Sequence, residues 1–168
     1  EKEGIIQVYD GQQWASTEDW ESSKEKTGQR FSSLFDFDID PKDDNHMYVG
    51  CQSGLYEFEN LQFTKLWNDT NSPLKVAATV PDGNKDYTIT TATKFDNYGK
   101  LWVFNSISLS TSILDLTNGN EWTSHHKQEL MVDNISPARS FEQMSGPIFD
   151  SRKLMWFTNA FYRDPSLI

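Results

Sequence analysis

Apolar and polar positions along this chain alternate with a period of two in short runs that turn residues interrupt. The clearest run is SLFDFDID, where Phe35, Phe37 and Ile39 alternate with Asp36, Asp38 and Asp40, the pattern of a strand with two unlike faces. A turn from Asp40-Pro41 to Asn45 leads to a return strand, His46 to Cys51. Ser53-Gly54 and Glu59-Asn60 then punctuate two more strands, Leu55 to Phe58 and Gln62 to Trp67. Four short antiparallel strands therefore fill residues 31–68. A second set fills 87–124, with strands at Tyr87 to Phe95, Leu101 to Ser106, Ser112 to Leu116 and about Glu121 to Thr123. Residues 1–17 read as the end of such a unit, a strand at Ile5 to Tyr9, the turn Asp10-Gly11 and a short strand at Trp14, and 147–168 as the start of another. Between them, Thr17 to Gly28 is charged and aperiodic and predicts a solvated connector, with Trp20 as a cap over the adjacent sheet. HHKQELMV within Ser124 to Gly146 predicts a short helical turn.

The units repeat. Phe95, Asp96, Trp102 and Asn105 recur 54 residues later as Phe149, Asp150, Trp156 and Asn159; one step back, Trp102 falls on Tyr48 and Val103 on Val49. GQQW at Gly11 to Trp14 matches GNEW at Gly119 to Trp122 two periods on. A fixed period of this size marks repeated supersecondary units, and four-stranded antiparallel units set head to tail predict an all-β chain folded as part of a β-propeller. Trp102 and Trp156 are expected on second strands, both mostly buried. Gly99 supplies the positive φ of a tight hairpin, and Lys153 in the same place predicts a different turn or a strained one. Roughly three periods fit in 168 residues, too few to close a ring, since propellers have about four to eight blades. The end units should then expose apolar side chains, at Ile5 to Tyr9, Met155 to Phe157 and Phe161-Tyr162, and the piece should self-associate.

Composition narrows the partners. With 36% hydrophobic and 14% aromatic residues the chain can build a core, and a formal net charge of −10 repels phosphate backbones and anionic membrane surfaces, which argues against nucleic acid as a partner. No apolar run is long enough for a membrane span. The single cysteine, Cys51, has no internal disulfide partner and reads as a small buried side chain. The first residue is Glu1, with no signal-like segment after it, so the sequence reads as a trimmed or internal piece.

Candidate chemistry is sparse. Asp36, Asp38 and Asp40, with Asp43, Asp44 and Asn45, form an oxygen-rich run of the kind that suits calcium. An EF-hand is excluded by Pro41 where glycine is needed and Met47 where a bidentate Glu belongs. The three alternating aspartates share one face, and a solvated sheet edge protected by charge explains them more simply. His125, His126 and Glu129 have zinc-ligand character only if that stretch is helical. No nucleophile elbow or phosphate loop occurs. The Asp boxes of propeller glycosidases are also absent, because Asp96 and Gly99 are three apart and Lys94 stands in the leading position. No cofactor is implied.

Taken together, DPKDDNHMYVG (Asp40 to Gly50), GLYEFEN (Gly54 to Asn60), NSPL (Asn71 to Leu74) and FDNYGKLWVFNS (Phe95 to Ser106) resemble the two-component-regulator propeller family. Within that family the likeness is to bacterial two-propeller proteins that act as type IX secretion accessory factors, and it spans roughly residues 31–160. The resemblance implies a non-catalytic protein of the Gram-negative envelope, in the periplasm or on the outer surface, whose blades contact other blades or subunits and hold partner proteins or glycans. It carries over no catalytic residue. Two other functions are compatible with such a fold, a periplasmic ligand-sensing propeller of a hybrid two-component regulator and a propeller glycosidase. The sensor-type strand ending WIGT is replaced here by WVFN and WFTN, which argues against the first.

Overall fold

A computed structural model of the chain describes residues 4–17, 20–80, 84–132, 135–160 and 166–168. The chain opens with a hairpin of β1 (Gln7–Tyr9) and β2 (Trp14–Ser16), followed by α1 (Trp20–Thr27). A first four-stranded sheet is built by β3 (Asp36–Asp40), β4 (Asp43–Cys51), β5 (Gly54–Glu59) and β6 (Gln62–Trp67). A second follows, with β7 (Thr90–Phe95), β8 (Leu101–Asn105), β9 (Ile113–Thr117) and β10 (Glu121–Ser124). A small ribbon, β11 (Met131–Val132) and β12 (Arg139–Ser140), leads to a third sheet of β13 (Met144–Phe149), β14 (Met155–Asn159) and β15 (Ser166–Leu167). Every strand pairs antiparallel with its neighbours in sequence, in the orders β3-β4-β5-β6, β7-β8-β9-β10 and β13-β14-β15.

The sheets stand face to face, and the first strand of each is inward, with β7 between β3 and β13. Apolar residues fill both junctions. Tyr48, Leu55, Trp67 and Leu74 meet Leu101, Val103, Leu114 and Leu116 between the first two sheets. Ala92, Phe104 and Ile113 meet Met144 and Phe157 at the next, with Leu130, Val132 and Phe141 sealing the junction. A third cluster lies on the far side of the first sheet, where Phe31, Ile6 and Leu34 cover Met47, Val49, Tyr56 and Phe58. This is part of a β-propeller: successive antiparallel sheets that bury both faces against their neighbours around a common inner edge.

Two expectations change. The connector over Thr17 to Gly28 contains an eight-residue helix, α1, because Gly28 takes a left-handed φ of 72° and donates its N–H to Lys24 O at 2.7 Å, a glycine stop that the charged composition masks. The first strand of the second sheet starts at Thr90, since Lys85–Tyr87 coils into a 3-10 turn capped by Asn84. HHKQELMV does hold a short turn, a 3-10 segment at Gln128–Leu130. The expectations for the Trp20 side chain and for Phe161-Tyr162 lie outside the described residues.

Candidate functional site

The hairpins joining the first two strands of each sheet lie at one end of the molecule, and in the second and third sheets a single carboxylate organises the turn. Asp96 Oδ1 accepts the N–H groups of Tyr98 (2.8 Å) and Lys100 (3.1 Å), while its Oδ2 accepts Trp102 Nε1–H (3.1 Å). Asp150 repeats the arrangement, taking Arg152 N–H (2.8 Å) and Leu154 N–H (3.1 Å) on Oδ1 and Trp156 Nε1–H (3.1 Å) on Oδ2. Backbone bonds close both turns alike: Gly99 N–H reaches Asp96 O at 3.0 Å, and Lys153 N–H reaches Asp150 O at 2.9 Å. The dihedrals match as well, with φ of 79° at Gly99 and 70° at Lys153. Lys153 therefore sits in the same turn as Gly99, in a backbone region that disfavours a side chain. Around Asp150 the Arg152 guanidinium, donating at 2.6 and 3.0 Å, holds the carboxyl below its usual range.

The corresponding turn of the first sheet begins at Asp40, whose Oδ1 accepts Lys42 N–H at 2.8 Å. Strand register locates the match. Ile39 faces Met47 as Phe95 faces Leu101 and Phe149 faces Met155, and the next pairs are Asp38 with Tyr48, Lys94 with Trp102 and Ile148 with Trp156. The first turn is thus two residues longer than the other two, so the 54-residue spacing applies to all the second strands while the first strands of the first two sheets are offset by 56.

Tyr48, Trp102 and Trp156 all point toward the sheet that follows in sequence, and their exposure diverges accordingly. Tyr48 is buried, Trp102 is half-buried and touches Phe149 at a centroid distance of 6.1 Å, and Trp156 is 36% exposed. The expectation that both tryptophans are mostly buried is corrected for Trp156, because no following sheet lies against it among the described residues. Ile148, at 61% exposure, shares its open face.

The acidic run of β3 also sits differently from expectation. Asp36, Asp38 and Asp40 form the partly buried face of β3, and Phe35, Phe37 and Ile39 are the exposed residues. Asp36 Oδ2 accepts Thr93 N–H at 3.2 Å, and Asp38 accepts Phe95 N–H at 2.7 Å and the Lys94 ammonium at 3.1 Å. Asp36 and Asp38 cap free backbone donors on β7, the inner strand of the next sheet, while Asp40 caps Lys42 N–H in its own turn, so the reading of them as a solvated edge is corrected. Burial pushes the Asp36 carboxyl up, against the pull of its two backbone donors. No group of three or more His, Cys, Asp or Glu side chains is placed to hold a metal ion among the described residues.

The sequence did not single out two acids in third strands, one buried and one half-buried. Asp115 on β9 is fully buried and accepts from Thr117 Oγ1–H (3.1 Å), the Lys100 ammonium (3.3 Å) and His125 Nε2 (2.5 Å). Glu57 on β5 accepts from Tyr48 O–H (2.9 Å), Trp67 Nε1–H (2.9 Å) and His46 Nε2 (2.8 Å). Glu57 pairs across strands with Tyr48 and Asp115 with Trp102, so the two acids occupy one repeat position. A lone acid inside an otherwise apolar strand run, LYEF and ILDL, is the signal that marks them. His126 lies near Ser112 instead, which separates it from His125. Cys51 is buried beside Ser53, and burial lifts its thiol to about 11, which makes it unreactive.

Concavities open between the sheets among the described residues. A cleft of about 260 Å³ at the turns of the first two sheets is lined by Asp40, Lys42, His46 and Gly99. Its counterpart between the second and third, about 360 Å³, is lined by Asp96, Asn97, Tyr98, Trp102, Phe149 and Lys153. A cavity of about 420 Å³ where the inner strands begin is lined by Phe35, Ile89, Ile107, Met144 and Glu142, among others.

No family model matches the chain, and no curated protein does. Among solved structures it is similar to PorZ, described as an essential bacterial surface component of the type-IX secretion system of human oral-microbiomic Porphyromonas gingivalis. The two superpose with a TM-score of 0.80 over 98% of this chain at 18% sequence identity. The chain spans 21% of the length of that protein. At this identity the likeness is one of fold.

Proposed function

We propose that the chain is a non-catalytic binding scaffold of the bacterial envelope and serves type IX secretion. Its blades hold a partner protein or further blades through faces that the three sheets leave open. The observation that carries this reading is the allocation of side chains on the turn face. Asp36, Asp38, Asp96 and Asp150 are each engaged in capping backbone N–H groups, and Glu57 and Asp115 each accept three internal donors. Carboxylates fixed in this way set the geometry of turns and sheet junctions, and general acid–base work needs a group that is free to exchange its proton with a substrate. Large apolar side chains stand outward at Phe37, Ile148 and Trp156, where a protein surface can cover them. The fold shared with a type-IX secretion component supports the placement at the envelope surface. No helix among the described residues is long and apolar enough to cross a membrane.

The test is genetic and biochemical together. Deleting the gene in its host should leave type IX cargo inside the cell envelope, and a copy carrying Ile148→Lys with Trp156→Glu should fail to restore its display. Unchanged display in the deletion strain would overturn the secretion role. Hydrolysis of glycans by the purified chain, abolished by one Asp or Glu substitution, would overturn the scaffold.

A further inference from the structure

The two turn-face clefts occupy the same place in the repeat, yet they are furnished differently. In the first, Gly99 forms part of the wall and the Lys42 side chain lies across it, so close that a Cβ on Gly99 would stand 2.8 Å from Lys42 Cε. The ring nearest that wall, Tyr48, is buried in the sheet junction. In the second, the position of Lys42 is taken by Tyr98, which is 62% exposed, and that of Gly99 by Lys153. The half-buried rings of Trp102 and Phe149 form the opposite wall.

The charged groups of this cleft are engaged to different degrees. Asp96 has its carboxylate filled by Tyr98 N–H, Lys100 N–H and Trp102 Nε1–H, and the Lys100 ammonium turns to buried Asp115. Lys153 extends its ammonium to 4.9 Å from the centre of the Tyr98 ring and has the Tyr98 side chain as its partner, while no carboxylate among the described residues pairs with it. It does so from a backbone φ of 70°, where the equivalent turn uses glycine. A side chain kept in a strained conformation at the lip of a cavity points to a role there. Aromatic faces beside a cation that has no anionic partner suit a ligand that has a flat apolar face and a single negative charge.

We propose that the cleft between the second and third sheets binds a six-membered ring bearing a carboxylate, the ring face against Tyr98 and Trp102 and the carboxylate on Lys153 Nζ. A sugar acid and an aromatic acid share this chemistry. The inference is independent of which proteins the scaffold holds, because it is read on the purified chain alone. At about 360 Å³ the cleft lies near the lower end of small-molecule pockets, so it takes one ring rather than a chain of several.

The experiment titrates D-glucuronate, benzoate and neutral D-glucose into the 168-residue protein and follows the amide resonances of residues 96–102 and 149–156. Saturable shifts with glucuronate or benzoate, and at least tenfold weaker ones with glucose, are the expected result; glucuronate alone identifies a sugar acid and benzoate alone an aromatic acid. Lys153→Gly and Tyr98→Leu should each weaken the acid at least tenfold, while Lys42→Ala in the sister cleft leaves it unchanged. Lys153→Gly relaxes the turn, so a raised melting temperature together with lost binding separates a ligand role from misfolding. Equal binding of glucose, unaltered affinity in Lys153→Gly, or no saturable shift with either acid overturns the proposal.

Discussion

Asp96 ties six residues of chain together with one carboxylate, and its removal should be felt across the hairpin. Asp96→Ala deletes three charge-assisted bonds, one of them to the Trp102 indole. A loss of about 2–3 kcal/mol in urea unfolding is expected, discounted from the sum because two of the donors can turn to water. Asp36 makes the opposite case. Burial raises its folded-state pKa above the unfolded value, so its contribution is most favourable below the ordinary carboxylate pKa and is lost as pH rises through the raised one. Asp36→Asn should therefore be more stable than the parent at pH 7, and the advantage should vanish near pH 3. Chemical melts at the two values check it, and an advantage that grows at low pH would refute the assignment. The aspartates of the turns were legible in the sequence because a capping carboxylate acts within six residues. The alternation of β3 was legible too, but not which face is inward. That is decided by β7, more than fifty residues away, whose free N–H groups donate to the carboxylates.

At the scale of elements, the fit of one sheet on the next depends on where a side chain is missing. Gly50 on β4 passes so near β7 that a Cβ would stand 2.7 Å from Thr90 O. Gly50→Ala should push the first two sheets apart and cost about 1–3 kcal/mol, as overpacking does. The same change at Gly119, where a Cβ meets nothing within 4 Å, leaves the packing alone although its φ of 71° still disfavours alanine. Strand positions could be read from period-two alternation and glycine turns to within a few residues. The 54-residue period could be read as well, whereas the two extra residues of the first turn could not, because they fall between strands whose pairing only the register reveals. Glu57 and Asp115 escaped notice for a related reason. Their partners, His46 on the neighbouring strand and His125 just past the end of one, are remote in sequence, and an inward acid looks like a misplaced surface residue until those neighbours are known.

For the molecule as a whole, the third sheet presents Ile148, Trp156 and Leu167 on one side, the last 72% exposed. The equivalent face of the second sheet, with Trp102 and Phe104, is covered by Met144, Phe149 and Phe157. The isolated chain should therefore self-associate as concentration rises in light scattering, and Ile148→Lys with Leu167→Lys should shift it toward 19.4 kDa. A parent chain that stays monomeric at every concentration and binds no hydrophobic dye would show that these residues are not an interface.

The strand order has a consequence for how the chain acquires its shape. Because each strand pairs only with the strand before and after it, no residue must wait for a distant segment to complete its ladder, and loop-closure entropy stays small. A polypeptide of this topology can zip up sheet by sheet in the direction in which it is released, each finished sheet offering a template for the next.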